Sequence, residues 1–253
     1  MDFKQLHHQN KPLLICNVWN THSAQQAQEL GFQAIGTSSA AIANSLGYQD
    51  GEDMTFAELC FIVERLAKSV SIPISVDIES GYSRNAQDIL SNINKLIELG
   101  VSGINIEDSI VQNGKRTLLP ADEFTDILRD VKKGLKNSDN SLFINVRTDP
   151  FLLGASRPLE TTIERIHKYE KACIDGIFVP CAVILNDIKQ LVSSTSLPIN
   201  LLAMPDMANF EMLGNIGIKR LSMGNWLYDK LNRSYVDSLK CIQKEGTFSE
   251  LFT

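Results

Sequence analysis

A chain of 253 residues, of which 43% are hydrophobic and 21% charged, is long enough and apolar enough to form one large globular domain. Its net charge of -6 and the lack of a basic block argue against a nucleic acid or an anionic membrane as partner. No apolar run approaches the roughly 20 residues that cross a bilayer, and the N-terminal residues lack the apolar core of a signal peptide.

Short apolar segments recur along the chain and predict eight β-strands with helical segments between them. The strands are expected near residues 13–18, 33–37, 73–78, 103–106, 141–147, 176–179, 198–202 and 219–222. Glycines such as Gly31 and Gly100 precede several strands, where they can end the preceding helix in the left-handed conformation at little steric cost. Pro73 and Pro198 stand at strand starts, where the missing N–H donor of proline is tolerated.

Helical periodicity fills the gaps between the predicted strands. Apolar residues recur at spacings of three and four in 55–70, which begins with Thr55 and Glu58 in a capping-box pattern. The same spacing marks 85–99. Eight strands alternating with helices predict a (β/α)8 barrel that forms a single domain over residues 1–253. An open doubly wound sheet is the alternative, but no GxGxxG motif follows the first strand to support its dinucleotide-binding form.

Charged side chains stand where three consecutive predicted strands end. Asp77 and Glu79 close the third strand, Glu107 the fourth and Arg147 the fifth. The carboxyl ends of barrel strands form one rim, so these side chains are expected to converge there. Burying unpaired carboxylates is costly, and a hard divalent cation such as Mg²⁺, which takes oxygen ligands, would offset that cost. The alternative is a set of solvated charges just beyond the strand ends.

Other candidate site residues follow the first two strands. Ser38, Ser39 and Ala40 form a turn of small residues, in which backbone N–H groups can approach an anion closely and hydroxyls add donors. Such a turn is also common without any ligand. Trp19 after the first strand is suited to walling a pocket or to core packing, and Asp50 to capping a helix or a turn.

The C-terminal segment 224–253 contains an amphipathic stretch at about 224–243 that could pack on its own barrel or on a neighbouring subunit. Its apolar residues are Trp226, Leu227, Leu231, Tyr235 and Leu239. The five cysteines of the chain are scattered, odd in number and form no CxxC pair, which argues against a disulfide framework or a zinc site. A reducing, cytoplasmic location is therefore expected.

Five motifs, in this order, resemble the isocitrate lyase/phosphoenolpyruvate mutase superfamily. They are Thr37-Ser38-Ser39-Ala40, Ser45-Leu46-Gly47-Tyr48-Gln49-Asp50-Gly51, Asp77-Ile78-Glu79-Ser80-Gly81-Tyr82, Gly103-Ile104-Asn105-Ile106-Glu107-Asp108-Ser109 and Asn145-Val146-Arg147-Thr148-Asp149. The resemblance extends over nearly the whole chain and implies a (β/α)8 barrel that binds Mg²⁺, or Mn²⁺, and a small 2-oxo acid or its enolate. It also implies a dimer or tetramer, in which the last helix is often exchanged between subunits.

The resemblance assigns the carboxylates of these motifs to the metal. Asp77 matches the direct metal ligand. Asp50, Glu79 and Glu107 match carboxylates that hold the metal largely through its water molecules, and Glu107 is also expected to take part in catalysis. The superfamily usually has Asp-x-Asp where this chain has Asp77-Ile78-Glu79, which indicates a less characterised branch of the superfamily.

The remaining motifs are assigned to the substrate by the same resemblance. The turn Ser38-Ser39-Ala40 matches the backbone that binds the substrate carboxylate beside Asp77, and Arg147 matches the arginine that contacts the substrate during catalysis. Trp19 matches an aromatic residue near the substrate. Tyr82 is a candidate proton donor to the enolate, with water as the alternative.

The segment 109–120 departs from the superfamily lyases, because it has neither the cysteine that serves as their general acid nor a histidine. Decarboxylation of an oxaloacetate-like acid needs no acid on the departing CO₂, so a carbon–carbon lyase of that kind is the preferred prediction. A phosphonopyruvate mutase or hydrolase and a non-catalytic 2-oxo acid-binding protein are the alternatives. Lys115 and Arg116 either gate the site and pair with a distal anionic group or belong to a flexible basic loop.

Overall fold

Eight parallel strands close into a barrel in the computed structural model, which describes residues 2–135 and 142–252. The strands of this barrel are β1 (Leu13–Val18), β2 (Ala34–Thr37), β3 (Ile74–Asp77), β4 (Gly103–Glu107), β7 (Phe143–Arg147), β8 (Gly176–Val179), β9 (Ile199–Leu202) and β10 (Arg220–Ser222). β1 pairs with both β2 and β10, which closes the ring. The predicted (β/α)8 barrel is thus confirmed, and the open-sheet alternative is wrong.

The helices of the described residues alternate with the strands. They are α1 (Phe3–Leu6), α2 (Thr21–Glu29), α3 (Ser39–Leu46), α4 (Phe56–Ser69), α5 (Ala86–Glu98), α6 (Ala121–Leu135), α7 (Pro158–Tyr169), α8 (Leu185–Ser193), α9 (Phe210–Ile216) and α10 (Trp226–Glu245). The predicted capping box is present at α4: the Thr55 side chain accepts a hydrogen bond from the Glu58 N–H, and the Glu58 carboxylate accepts one from the Thr55 N–H.

Each predicted strand is present within one or two residues of its expected bounds, and residue 141, where the fifth was expected to begin, lies outside the described residues. The segment after β4 differs from the predicted loop. It forms an antiparallel hairpin of β5 (Ser109–Gln112) and β6 (Lys115–Leu118), in which β5 and β6 pair with each other and not with the barrel.

Buried apolar side chains fill the layer between the strands and the surrounding helices, and a second buried cluster closes the barrel at its amino-terminal end. In that second cluster, Phe3 and Leu6 of α1 pack with Leu13, Ile15 and Phe143 of the strands. α10 differs from the other long helices, because it buries none of its residues. No helix in the described part of the chain has the length and apolar character needed to cross a bilayer.

Candidate active site

A cavity of about 280 Å³ opens at the carboxyl ends of the barrel strands and brings together most of the predicted site residues. The predicted residues that line it are Ser38, Ser39, Ala40, Asp50, Asp77 and Arg147. Apolar side chains, including those of Leu152, Phe178 and Leu202, form other parts of the wall. The cavity thus combines polar groups of both charge signs with an apolar wall, in the manner of a small-molecule site.

Asp77 is held at the end of β3 by hydroxyl groups from the neighbouring strand β2 and helix α3. Its backbone N–H donates to Thr37 Oγ1 (2.8 Å), and its Oδ2 accepts from Ser39 Oγ (3.0 Å). Ser39 Oγ also lies 3.4 Å from Asp50 Oδ1. One serine hydroxyl therefore contacts two of the predicted metal ligands and fixes their separation.

Glu79 and Glu107 are almost completely buried next to Asp77. Burial raises the pKa of Glu79 well above its usual value, and the neighbouring Glu107 and Asp50 add to this increase. Burial likewise raises the pKa of Glu107 to about 8, although the guanidinium of Arg147 opposes the increase. Burial is the larger cause of both shifts, and the proximity of other carboxylates adds to it.

Two oxygens of this cluster lack hydrogen-bond partners among the described residues. They are Glu79 Oε2 and Glu107 Oε2, both buried. Glu107 Oε2 does lie 2.9 Å from Arg147 Nη1 in an ion pair, but the geometry is not that of a hydrogen bond. Carboxylate oxygens that are buried and short of donors form a set that suits a hard divalent cation.

Arg147 at the end of β7 is held between two acidic side chains. Its Nε and Nη2 donate to the two oxygens of Asp149 at 2.7 and 3.1 Å, and Nη1 forms the ion pair with Glu107. Asp149 is positioned in turn by Asp108, which accepts the Asp149 N–H (3.0 Å) and forms an ion pair with Arg165 (3.0 Å). The guanidinium therefore has a fixed orientation at the cavity wall.

The guanidinium of Arg116, in the hairpin strand β6, also contacts the carboxylates of the predicted metal site. It forms ion pairs with Glu107 and Asp50, the latter at 3.2 Å between Nη2 and Oδ2, and its Nη2 lies 3.8 Å from Glu79 Oε2. The described residues contain no group of three or more His, Cys, Asp or Glu side chains already placed to bind a metal ion, here or elsewhere. The predicted metal site therefore remains a prediction.

Four of the predicted site residues, Trp19, Glu79, Tyr82 and Glu107, are not among the residues that line the cavity. The Trp19 ring meets the edge of the Tyr228 ring at a centroid distance of 5.2 Å, and the Tyr82 ring packs against Phe56 at 5.5 Å. Burial raises the pKa of the Tyr82 phenol above its ordinary value, and the nearby carboxylate of Glu79 adds to the increase, so Tyr82 is a weaker acid than a free tyrosine. The predicted roles of Trp19 and Tyr82 remain untested.

Asparagine side chains inside the barrel form the floor of the site. They were not predicted as site residues from the sequence. Asn145 Nδ2 donates to Asn105 Oδ1 (2.9 Å) and lies 3.4 Å from Asn200 Oδ1. Asn17 Oδ1 accepts the backbone N–H groups of Met223 and Gly224. An asparagine within a buried strand was the available signal, because an unpaired amide would be costly there.

Comparison with known proteins connects this site to a family. The model of the phosphoenolpyruvate phosphomutase family matches residues 3–243. An uncharacterized protein of Mycobacterium tuberculosis is 32% identical over 228 residues, which cover 90% of this chain and 83% of that protein. The oxaloacetate decarboxylase of Pseudomonas fluorescens is 27% identical over 245 residues, with coverages of 92% and 80%.

Similarity to a solved structure supports the same family assignment. A Burkholderia cenocepacia protein assigned as a phosphonomutase superposes with a TM-score of 0.88 at 31% identity, covering 94% of this chain and 97% of its own. Members of this superfamily generally depend on a divalent metal, and they are lyases and mutases, so the non-catalytic alternative receives no support from the comparisons. The chain belongs to the phosphoenolpyruvate phosphomutase family, within the isocitrate lyase/phosphoenolpyruvate mutase superfamily, and is an enzyme of the lyase or mutase type.

Proposed function

We propose that the protein is a divalent-cation-dependent lyase that decarboxylates a small 2-oxo diacid of the oxaloacetate type through a pyruvate-type enolate. One observation carries the proposal: the fixed guanidinium of Arg147 lines one small cavity with Asp77 and Asp50, and behind them two buried oxygens, of Glu79 and Glu107, lack hydrogen-bond donors. The absence of a cysteine or histidine from 109–120 favours a reaction that needs no acid on its leaving group. The oxaloacetate decarboxylase among the relatives supports the same substrate class.

The proposed cofactor is Mg²⁺, with Mn²⁺ as a substitute. Asp77 would bind it directly, and Asp50, Glu79 and Glu107 would hold it largely through water. Asp77 and Asp50 line the cavity, and the buried carboxylates of Glu79 and Glu107 lie near them. When bound, such a cation stabilises negative charge on the carboxylate and 2-oxo oxygens of a substrate. Its presence would also offset the repulsion among the buried carboxylates.

The substrate carboxylate is assigned to the amino-terminal end of α3. Ser38 caps this helix by accepting the Ala41 N–H, and Ser38, Ser39 and Ala40 all line the cavity. The first amides of a helix lack intrahelical acceptors and favour an anion. Arg147 would donate to the oxygen on which negative charge develops, and its fixed position means that little reorganisation is needed.

Proton transfer completes the proposed reaction after CO₂ has left. Water is the preferred donor to the enolate, because Tyr82 lies outside the cavity lining and its pKa is raised. Tyr82 remains the alternative donor, and Trp19 is proposed to act near the substrate only through the residues that it packs against, such as Tyr228. The scattered, unpaired cysteines are compatible with the proposed cytoplasmic location.

The decisive experiment is a cation-dependent screen of 2-oxo diacids in which pyruvate formation is measured. The wild-type protein is expected to release pyruvate with Mg²⁺ or Mn²⁺ and to lose this activity with a chelator. The Asp77→Asn variant should be inactive, whereas Glu98→Gln, which removes an exposed carboxylate at the end of α5, should match the wild type. Undiminished turnover by Asp77→Asn in the presence of chelator would refute the metal assignment.

Phosphorus–carbon bond chemistry is the second candidate, because the superposed structure at 31% identity is assigned as a phosphonomutase. Phosphonopyruvate carries a phosphonate in place of the second carboxylate of such a diacid. Incubation with phosphonopyruvate, followed by ³¹P NMR, separates the two reactions. A new phosphorus resonance would favour the mutase or hydrolase, and its absence alongside pyruvate release from a diacid would favour the decarboxylase.

The proposed assembly is a dimer or tetramer in which α10 packs on a neighbouring subunit. α10 buries no residue on its own barrel and exposes Leu231, Tyr235 and Leu239. A groove of about 550 Å³ lies beside β1 and α9, where Pro12, Leu14, Phe210 and Gly214 line it together with the polar Asn10, Lys11, Glu211 and Asn215. The apolar face of α10 and the apolar part of this groove can satisfy each other between two copies.

Light scattering coupled to size-exclusion chromatography tests this assembly. The wild type is expected to elute as a dimer or tetramer. Leu231→Glu should shift it toward the monomer, because a charge would enter the apolar contact. Lys230→Gln, which changes the net charge by the same one unit at the adjacent exposed position, should leave the mass unchanged. A monomeric wild-type protein would contradict the proposed assembly.

A further inference from the structure

Arg116 supplies the positive charge that the carboxylate cluster contacts from the hairpin side of the cavity. Its guanidinium pairs with Glu107 and with Asp50, and it lies 3.8 Å from Glu79 Oε2. These are three of the four carboxylates that are proposed to hold a divalent cation. The guanidinium and a cation therefore require the same oxygens, and a cation among those oxygens would stand close to a like charge.

The hairpin that carries Arg116 is not part of the barrel sheet. β5 and β6 pair with each other in a two-stranded sheet that is separate from the barrel sheet, so displacing them breaks no barrel strand pair. Val111, which is opposite Arg116 in the hairpin register, packs at Gly51, where an added Cβ would lie 2.5 Å from Val111 Cγ2. The contact at Gly51 and the ion pairs of Arg116 hold the part of the hairpin near its turn against the cavity, and the buried Ser109 at its base donates to Asp149 Oδ2 (2.6 Å). Displacement of the hairpin therefore concerns the segment beyond Ser109.

We propose that Arg116 and the divalent cation are alternative occupants of this carboxylate cluster, and that cation binding displaces the β5–β6 hairpin. The inference rests on the proposed function, since it takes the cation site from there. Without the cation, Arg116 is the positive partner that the buried carboxylates of Glu79 and Glu107 have from the hairpin. Burial of these carboxylates without it would be strongly destabilising. With the cation, that partner is redundant and the arginine leaves.

An exchange of this kind lowers the apparent affinity for the cation. The apparent dissociation constant rises by the inverse of the fraction of molecules whose cluster is free of Arg116. Removing the guanidinium should therefore tighten cation binding, which is the opposite of the weakening expected if Arg116 merely supported the site. The sign of the effect distinguishes competition from structural support.

Calorimetric titration of the full chain with Mn²⁺ and Mg²⁺, without substrate, measures this effect. Arg116→Gln is expected to bind either cation at least about tenfold more tightly than the wild type. This factor applies if about one tenth of the wild-type molecules have a carboxylate cluster that is free of Arg116. Lys115→Gln is the matched control, because it removes the same charge from the neighbouring, exposed position of β6. Its affinity should stay within about twofold of the wild type. The Arg116→Lys variant keeps the positive charge but lacks the planar guanidinium, so it should also bind the cation more tightly than the wild type. It replaces Arg116→Gln in this test if that variant does not fold.

Proteolysis gives a readout that is independent of both affinity and turnover. An arginine-specific protease is expected to cleave after Arg116 slowly in the metal-free protein, where the side chain is held among the carboxylates, and faster once Mg²⁺ is added. Unchanged or slower cleavage at this bond on addition of Mg²⁺ would overturn the displacement of the hairpin.

The outcomes separate this inference from the proposed function. Equal cation affinity of the wild type and both Arg116 variants would overturn the exchange while the proposed function stands. Failure of the wild type and both variants to bind either cation would overturn the proposed cation site, and the exchange with it. Tighter binding by the variants, together with faster cleavage of the wild type in Mg²⁺, would support both.

Discussion

The two arginines of the cavity differ in how they are held. Arg147 stands at the end of a barrel strand and is clamped by Asp149 and Glu107, whereas Arg116 comes from a hairpin outside the barrel. Asp149 is in turn fixed by Asp108, which also accepts the hydroxyl of Thr148 (2.7 Å). The orientation of Arg147 is thus set by the fold, which suits a group that must meet charge as it develops.

Replacing Arg147 by lysine is expected to lower kcat by about 10²- to 10³-fold, the range seen when one donor to a developing oxyanion is lost. A lysine keeps the charge but cannot bridge Asp149 and Glu107 with a planar fork. Steady-state kinetics of pyruvate formation measure the loss, with the exposed Arg129→Lys as the control. Wild-type kcat in Arg147→Lys would remove Arg147 from the reacting centre.

Charged site residues are more readily predicted from this sequence than neutral ones. Asp77 and Glu79 stand out because a carboxylate at the end of an apolar strand is conspicuous in the sequence. Asn105 and Asn145 do not, since their meaning depends on lying opposite each other in neighbouring strands, a register that only the closed barrel defines. The reach of Arg116 into the cavity was likewise hidden, because it depends on how the hairpin folds back.

At the scale of elements, the barrel strands were predictable because each is an apolar run bounded by turn residues. The hairpin was predicted as a loop although its sequence contains Asn113-Gly114 between β-branched residues, the strongest short signal for a two-residue turn. In the structure both residues have positive φ angles, 52° and 72°, as a type I′ turn requires.

Gly51 is expected to control how closely the hairpin docks. It has a φ of 99° and no room for a Cβ next to Val111, so Gly51→Ala should push β5 away and weaken the contacts of Arg116. Faster cleavage after Arg116 by an arginine-specific protease, measured without cation, would show this. Gly47→Ala is the matched control, since Gly47 has a similar φ of 86° but nothing within 4 Å of its added Cβ. Equal cleavage of the two variants would mean that backbone strain alone loosens the hairpin.

At the scale of the whole molecule, the end of the barrel opposite the cavity is closed by α1 and the residue after it. The ring of His7 stacks on Phe143 at a centroid distance of 3.9 Å, and His7 Nδ1 lies 2.9 Å from the Phe3 carbonyl oxygen. Burial lowers the pKa of His7 to about 3, and the positive charge of Arg220 contributes. His8 lowers the pKa slightly further and Asp175 opposes the decrease, so the neutral ring is the folded form.

Stability should therefore fall as the pH drops below about 6.5, the pKa of histidine in the unfolded chain. The unfolded chain takes up a proton there and the folded protein does not until about pH 3, so the free energy of unfolding decreases by about 1.4 kcal/mol per pH unit. At pH 5 the loss is about 2 kcal/mol relative to pH 7.5.

Urea unfolding of the wild type and His7→Phe at these two pH values measures that contribution. The cavity carboxylates titrate in both proteins, so the difference between the two isolates His7, and the variant should lack the loss of about 2 kcal/mol. The exposed His22→Gln should behave as the wild type does. Parallel pH dependences of His7→Phe and the wild type would show that His7 is not buried as a neutral ring.

The seam between β1 and β10 has a consequence for biosynthesis. Asn17 accepts the Met223 N–H across 206 residues of chain, so one edge of β1 has no barrel partner until nearly the entire polypeptide has emerged from the ribosome. At roughly 5–20 residues per second, that interval is about 10–40 s. Throughout it, the nascent chain presents an apolar strand edge that can pair with other chains. Closure of the barrel through its last strand therefore leaves the nascent chain prone to aggregation during synthesis. Rapid chaperone capture of the emerging chain would protect it.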